Sequence, residues 1–406
     1  MSVCRNQYQE SLFKKFAELG KSVAKSANAN DAAATLDHES WETVSEEGIW
    51  KIAVPISHGG LGGTWHDVIA ALEGLSTTAE DLGFLVTTLG HLGSIKVLLD
   101  EGTPHQKARW LPRLLDGVIG VTAMTEETGG SDLSKMKLAA HEQGGGYFLN
   151  GKKVHITNAP VAKFGMIAGR VPSLGKKKDI TLFFVDLDGP NVKIGDTENN
   201  LGIRTSPTAS IEFDEVPLND ENFIGRPGDG LRILYDVISF ERALYGAMAA
   251  GMIENHIMRS SKRVKERIAF GQPLSVNQYV QGRLTDMKMA SIVCRTLTYA
   301  AFEELEAGAP TASILCSATK YFAGENLVMS AENMVQLFGH LGYGNNEVSR
   351  MMRDALGMRI AGGTSDIQRI NIFNNMSRLQ TYHDDLVDPS VSTMKDIVKE
   401  PEPAMS

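Results

Sequence analysis

The sequence predicts an α+β chain in three parts: an N-terminal helical domain over residues 1–118, a central antiparallel β domain over 119–225, and a C-terminal four-helix bundle over 226–380. Three observations carry this. Over residues 1–120 the apolar residues recur at helical spacing. Between 118 and 220 they gather in short β-branched or aromatic runs divided by Gly, Pro, Asn and Asp. Beyond Gly230 the helical spacing returns. At 406 residues the chain is long enough for two or three domains.

Taken in order, Asp37 offers an N-cap ahead of Trp41 and Val44, and His66–Leu99 is a long Ala/Leu-rich stretch. Between them, Pro55–Gly63 is a Gly-rich connection. Thr103-Pro104 opens a short helix that stops near Asp116-Gly117. In the middle part, Asn150-Gly151 lies between two strand-like runs and predicts a tight hairpin. Met166–Val171, Ile180–Val185 and Ala209–Phe213 read as further strands. From Leu231 to about 380, breaks at Gly271, Gly308 and Gly342–Gly344 leave helices long enough to form a bundle. Residues 381–406 are polar, carry Pro389, Pro401 and Pro403, and predict a disordered tail.

Composition excludes several functions. Forty Lys and Arg against 49 Asp and Glu leave a net charge of −9, the wrong sign for a nucleic-acid-binding face. Three cysteines (Cys4, Cys294, Cys316) cannot frame so long a chain with disulfides, which predicts a reducing compartment and a cytoplasmic protein. No apolar run approaches the ~20 residues of a membrane span. The start carries Glu10 and Glu18 and reads as neither a signal nor a transit peptide. Gly60-Leu-Gly62 meets Trp65 where a dinucleotide fingerprint needs its third glycine, and Lys15 stands where a phosphate loop ending at Lys21-Ser22 needs its first. There is no His-Glu-x-x-His and no Cys-x-x-Cys, so no metal site is expected.

Several separated segments share one register. They include Gly48–Pro55 with Gly59–Gly62, Gln106-Lys107 with Leu111-Pro112, Met124-Thr-Glu-Glu-Thr-Gly-Gly-Ser-Asp132, and Gly151-Lys-Lys-Val-His-Ile-Thr-Asn158. Arg267-Ile-Ala-Phe-Gly271, Gln336-Leu-Phe-Gly339, Arg353-Asp354 and Gly363-Thr-Ser-Asp-Ile-Gln-Arg369 follow. Together, over about residues 40–378, they resemble the acyl-CoA dehydrogenase family of flavoproteins, in that family's order and spacing. The resemblance implies the same three-part fold and an FAD cofactor. It implies that Met124, Thr125, Gly130 and Ser131 line the flavin, that Ser131 also meets substrate, and that Thr157 bonds flavin N5. Backbone N–H groups and small hydroxyls suit the carbonyl acceptors and the pyrophosphate of FAD. Arg267 and Phe270 resemble a pair that reaches the FAD of a neighbouring subunit, and Gln336, Gly339, Thr364 and Asp366 match further dinucleotide contacts. That sharing implies a homo-oligomer, a dimer or a tetramer.

Many family members place the catalytic glutamate directly before the Gly-Thr of the last motif, where this chain has Gly362. The isovaleryl-CoA and long-chain types supply it instead from the first bundle helix, directly before an arginine. Phe240-Glu241-Arg242-Ala243 matches that pattern, so Glu241 is expected to be the base and Arg242 a substrate contact. In isolation Glu241 also reads as a helix-face carboxylate paired with Arg242 or Arg232. Removing an α-proton needs a base whose affinity for protons is raised by an apolar, water-poor pocket. The enolate charge that develops needs a donor, and the Gly362 N–H can supply one. A carboxylate restored at position 362 is expected to recover part of the activity that a Glu241 variant loses.

Two departures stand out. His155 replaces the aromatic, often tryptophan, that packs on the flavin, and His340 replaces a second glycine after Gly339. Ala361-Gly362 removes bulk, which makes room for a branched or cyclic acyl group. The implied activity is FAD-dependent α,β-dehydrogenation of an acyl-CoA, with electron-transferring flavoprotein as acceptor. Oxidation of an acyl or aminoacyl group on a carrier protein, a flavin oxygenase of the same fold, and a redox-dead homologue with an assembly role are the other readings.

Overall fold

The computed structural model describes residues 5–130, 132–175 and 179–383. The N-terminal part folds as α1 (Gln7–Ala33), α2 (His38–Glu46), α3 (Trp65–Thr78), α4 (Leu82–Glu101) and α5 (Pro104–Leu115). Their starts are set by side chains that accept otherwise unpaired backbone N–H groups. Asp37 accepts from Ser40, Thr64 forms a capping box with Asp67, and Thr103 forms one with Gln106. The Ala/Leu-rich stretch is two helices, because Glu80 turns left-handed (φ 53°) and Asp81 caps a new start at Phe84. The second of these, α4, corrects the sequence reading. It is long and apolar enough to cross a membrane, although most of it is buried inside the protein. Its apolar character serves the core, where it packs on α5 and on the strand and helix that follow.

The middle part is an eight-stranded sheet of β1 (Gly120–Ala123), β2 (Ala139–Gln143), β3 (Gly146–Thr157), β4 (Phe164–Arg170), β5 (Ile180–Asp186), β6 (Val192–Ile194), β7 (Thr208–Leu218) and β8 (Phe223–Ile224). The path runs β6-β7-β3-β2-β4-β5-β8, antiparallel except where β4 meets β2 and β1 in parallel. Side chains alternate between two cores. Phe164, Met166, Leu182 and Phe184 face the helices, while Ile167, Phe183 and Val185 close the far side with Leu149, Ile211 and Phe213. The expected hairpin is elsewhere. Gly144-Gly145, both left-handed, turn β2 into β3, and β3 runs straight through Asn150-Gly151 as a bulge. There Gly151 has φ 135°, and a β-carbon on it would lie 2.8 Å from Leu138 Cα. Asn150 bonds Glu215 across the sheet through its Nδ2 and Oδ1.

The last part begins with α6 (Gly230–Glu266). A β9–β10 hairpin (Ile268–Ala269, Gln272–Pro273) and α7 (Gln278–Glu306), α8 (Ala312–Phe338), α9 (His340–Tyr343), α10 (Glu347–Gly357) and α11 (Ser365–His383) follow. The long helices α6, α7, α8 and α11 form the bundle. α6 also packs on α3 and α4, which lets one helix present side chains to the gap between bundle and sheet. Gly251 permits that approach, since a β-carbon there would lie 2.6 Å from Glu73 O. α11 continues to His383, so residues 381–383 are helical rather than tail, and 384–406 lie outside the described residues.

Candidate active site

Between the sheet and α6 lies a cavity of about 480 Å³. Met124, Thr125 and Gly130 line it from the segment after β1, and His155 and Thr157 from the end of β3. Glu241 and Arg242 line it from α6, and Gly362 and Thr364 from the turn before α11. Residues far apart in sequence and expected to act together are therefore brought together. Ser131 lies outside the described residues.

Glu241 is the unusual group. Its Oε1 is buried and meets no hydrogen-bond partner among the described residues. Arg232 is engaged by Glu101 and Asp236, and Arg242 points its Nε at Gly362 O, 3.4 Å away. Neither pairing that would make Glu241 an ordinary surface carboxylate forms. Burial pushes its carboxyl up to about 8, against a smaller opposing pull from Arg242. Space for the carboxyl comes from α4, where a β-carbon on Gly93 would fall inside contact distance of Glu241 Oε1.

The turn that carries Gly362 is held from behind by its carbonyls. Lys320 Nζ donates to Gly363 O at 2.6 Å, and Gln368 Nε2 donates to Gly362 O and Gly363 O at 3.2 and 3.0 Å. The Gly362 N–H donates to no protein group among the described residues. Both glycines are left-handed, at φ 69° and 91°. A β-carbon on Gly362 would lie 2.7 Å from Tyr245 Cε2, so the ring of Tyr245 fills the space that a side chain at 362 would need. Tyr245 thus takes up part of the space left free at Gly362, and a glutamate placed at 362 would meet both a left-handed backbone and this ring.

The sheet wall is a row of hydroxyls. Thr122 Oγ1 is buried without a protein partner, and the hydroxyls of Thr125 and Thr157 bond no described protein group. A wall of free small donors beside an open glycine, Gly130, fits a flavin ring edge with its carbonyl and nitrogen acceptors. The wall is fixed by a pair that sequence reasoning missed. Lys153 Nζ, wholly buried on β3, donates to Met124 O at 3.0 Å and to Glu126 Oε1 at 2.8 Å. Glu126 also accepts from the Lys137 and Leu138 N–H groups. Burial opposes its charge, yet Lys153 and the two N–H groups together hold its carboxyl below the usual range. Burial pushes the Lys153 amine down to about 8, with Glu126 pulling the other way. The only sequence signal was a Lys-Lys pair on an alternating strand, which puts one lysine on the inner face.

His155 sits in a left-handed bulge (φ 55°) and turns its Nδ1 to both Glu198 carboxylate oxygens at 3.0 Å. The remaining expected residues do not reach this cavity. Arg267 and Phe270 lie on or beside the exposed β9–β10 hairpin, and Gln336 and Gly339 stand exposed at the end of α8. Asp366 opens α11 and pairs with Arg369 at 2.6 Å.

The acyl-CoA dehydrogenase N-terminal, middle and C-terminal domain families match residues 6–118, 121–216 and 228–377. The 2-methylacyl-CoA dehydrogenase of Solanum tuberosum mitochondria is 31% identical over 384 residues, covering 93% of this chain and 91% of its own. The prolyl acyl carrier protein oxidase AnaB superposes with a TM-score of 0.87 at 28% identity, covering 92% of this chain and 100% of its own. The FAD complex of PigA superposes with a TM-score of 0.86 at 25% identity, covering 93% of this chain and 99% of its own.

Proposed function

The chain belongs to the acyl-CoA dehydrogenase family of FAD-dependent oxidoreductases acting on CH–CH bonds, and on that premise we propose that it dehydrogenates an acyl thioester with Glu241 as the base. FAD, when bound, supplies the acceptor for the β-hydrogen and its two electrons. Thr122, Thr125, Gly130 and Thr157 would hold the flavin against the sheet, and Thr364 would meet it from the bundle side.

The observation that carries the reading is the buried, unpartnered Glu241 carboxylate facing that wall across the cavity. An ionised carboxylate kept dry is a strong base, and it takes the α-proton from a thioester lying between α6 and the sheet. The free Gly362 N–H donates to the thioester oxygen, where charge develops as the proton leaves. Arg242, Lys320 and Gln368 hold the Gly362–Gly363 carbonyls, which keeps that N–H aimed. The test is anaerobic bleaching of the bound flavin by a panel of CoA and carrier-protein thioesters. Bleaching by one class supports the reading and names the carrier. No bleaching by any member contradicts it and favours a redox-dead assembly role.

A carrier-protein substrate is the second reading, supported by the overlap with AnaB, a prolyl carrier protein oxidase by name. Electron-transferring flavoprotein is the proposed acceptor. Buried free Cys294 and Cys316 support a reducing, cytoplasmic setting.

The room that Gly93 leaves gives one prediction. Gly93→Ala should push the Glu241 carboxyl aside and slow flavin reduction by up to about 10²-fold, the cost of a misplacement near 1 Å. Its melting temperature in the presence of FAD should change much less than its rate.

We further propose a homo-oligomer, dimer or tetramer, in which Arg267 and Phe270 reach the FAD of a second copy, with Gln336, Gly339 and Asp366 contributing there. Phe270 is fully exposed, with Ile268, Val276 and Tyr279 exposed beside it, an apolar patch of the kind that a second copy covers. Arg267→Ala should raise the dissociation constant for FAD about tenfold while circular dichroism stays unchanged. Sedimentation showing a monomer that retains FAD fully would contradict the sharing.

A further inference from the structure

We propose that the Tyr245 hydroxyl is a hydrogen-bonding subsite for a polar group on the acyl chain. The substrate class is then a thioester with an amino or hydroxyl group close to its reacting carbons, rather than a plain hydrocarbon acyl group. This inference rests on the thioester reading above and names the substrate of the same site.

Tyr245 is 4% exposed, sits one turn beyond Glu241 on α6 and lines the same cavity. Its hydroxyl makes no hydrogen bond to a described residue and opens onto the cavity, leaving its donor and acceptor free for a ligand. The nearest cations are committed elsewhere, Lys320 to Gly363 O and Arg242 to Gly362 O. Burial and the neighbouring Glu241 hold the phenol proton on, so the group is a neutral donor and acceptor throughout the working pH range.

Its position fixes which part of a substrate it would meet. The hydroxyl oxygen lies 3.1 Å from where a β-carbon on Gly362 would stand. It therefore shares one end of the cavity with the Gly362 N–H and the Glu241 carboxylate, the groups assigned to the thioester oxygen and the α-proton. The cavity lining also includes the apolar Leu89, Ile238 and Ile360 and the polar Arg242, Tyr235 and Asn371. A hydrocarbon acyl chain that displaces water from this end leaves the hydroxyl without a partner, whereas a polar group on the chain supplies one.

The test uses the FAD-loaded full chain and two pairs of non-reacting CoA thioethers of matched size. One pair carries pyrrolidinyl against cyclopentyl, and the other hydroxyalkyl against alkyl. Calorimetric titration of wild type should show at least one polar analogue binding about tenfold or more tighter than its hydrocarbon twin, the size of one good hydrogen bond. In Tyr245→Phe that ratio should fall towards one. Equal affinities within both pairs in wild type, or a preference that survives in Tyr245→Phe, would overturn the inference. The two readings fail separately. Flavin reduction by hydrocarbon thioesters with no polar preference sinks this inference and keeps the dehydrogenation. A Tyr245-dependent preference with no reduction by any thioester does the reverse.

Discussion

Glu241→Gln is expected to slow anaerobic flavin reduction by a thioester ~10²–10⁴-fold, the range for loss of a positioned general base. Glutamine keeps the size of the side chain and cannot accept the proton, so FAD retention and thioester affinity should stay close to wild type. The wild-type rate should rise as pH increases through about 8, because only the ionised carboxylate is basic and burial holds its titration there. The residual rate of the variant should lack that rise. Stability should move in the opposite sense. The carboxyl titrates at about 8 in the folded chain against 4.5 ordinarily, so between these values the folded state holds the extra proton. Stability then falls as pH rises through this window. Glu241→Gln should therefore melt above wild type near pH 9 and lose the advantage near pH 5. Because the Tyr245 ring occupies the alternative position, adding Gly362→Glu to a Glu241→Gly chain should restore no activity.

Lys153→Met should produce the largest loss of stability. The substitution keeps the length of the side chain and removes the ammonium that neutralises Glu126, itself 7% exposed. An uncompensated buried charge costs about 3–5 kcal/mol when its partner is removed. The same ammonium ties down Met124 O, so the segment from Met124 to Gly130 loses its anchor and FAD retention should fall with stability. Denaturant unfolding and flavin release on gel filtration measure the two effects. Adding Glu126→Gln removes the stranded charge and still accepts from one of the Lys137 and Leu138 N–H groups, so part of the stability should return. A Lys153→Met chain as stable as wild type would show that the pair contributes nothing.

Much of this was legible in the sequence because it was local. Asp37 and Thr103 announce helix starts through side chains that cap the next turn, and a match to Glu241-Arg242 survives any uncertainty about the fold. What escaped depends on contacts between distant segments. Asn150-Gly151 carries the local signature of a hairpin, yet the β7 partner across the sheet, through Glu215, holds it as a bulge, and Gly144-Gly145 takes the turn. Tyr245 looks like one more apolar-face residue of α6 until the Gly362 turn is folded against it. Gly93 reads as an ordinary small residue until Glu241 arrives from 148 positions later in the chain. α4 reads short of a membrane span in sequence because Gly, Thr and His interrupt it, and only its placement shows an apolar helix built for the core.

The claim that Glu241 removes a proton next to the thioester is tested most directly by following that proton. A thioester lacking a β-hydrogen cannot be dehydrogenated, but its α-proton can still be taken. Incubated in D2O with the FAD-loaded protein and followed by NMR, such a thioester should exchange its α-hydrogen for deuterium faster with increasing pH up to about 8. Glu241→Gln should exchange it at the uncatalysed rate. Exchange by Glu241→Gln as fast as by wild type, with the flavin and the thioester both bound, would contradict the assignment of the base to Glu241.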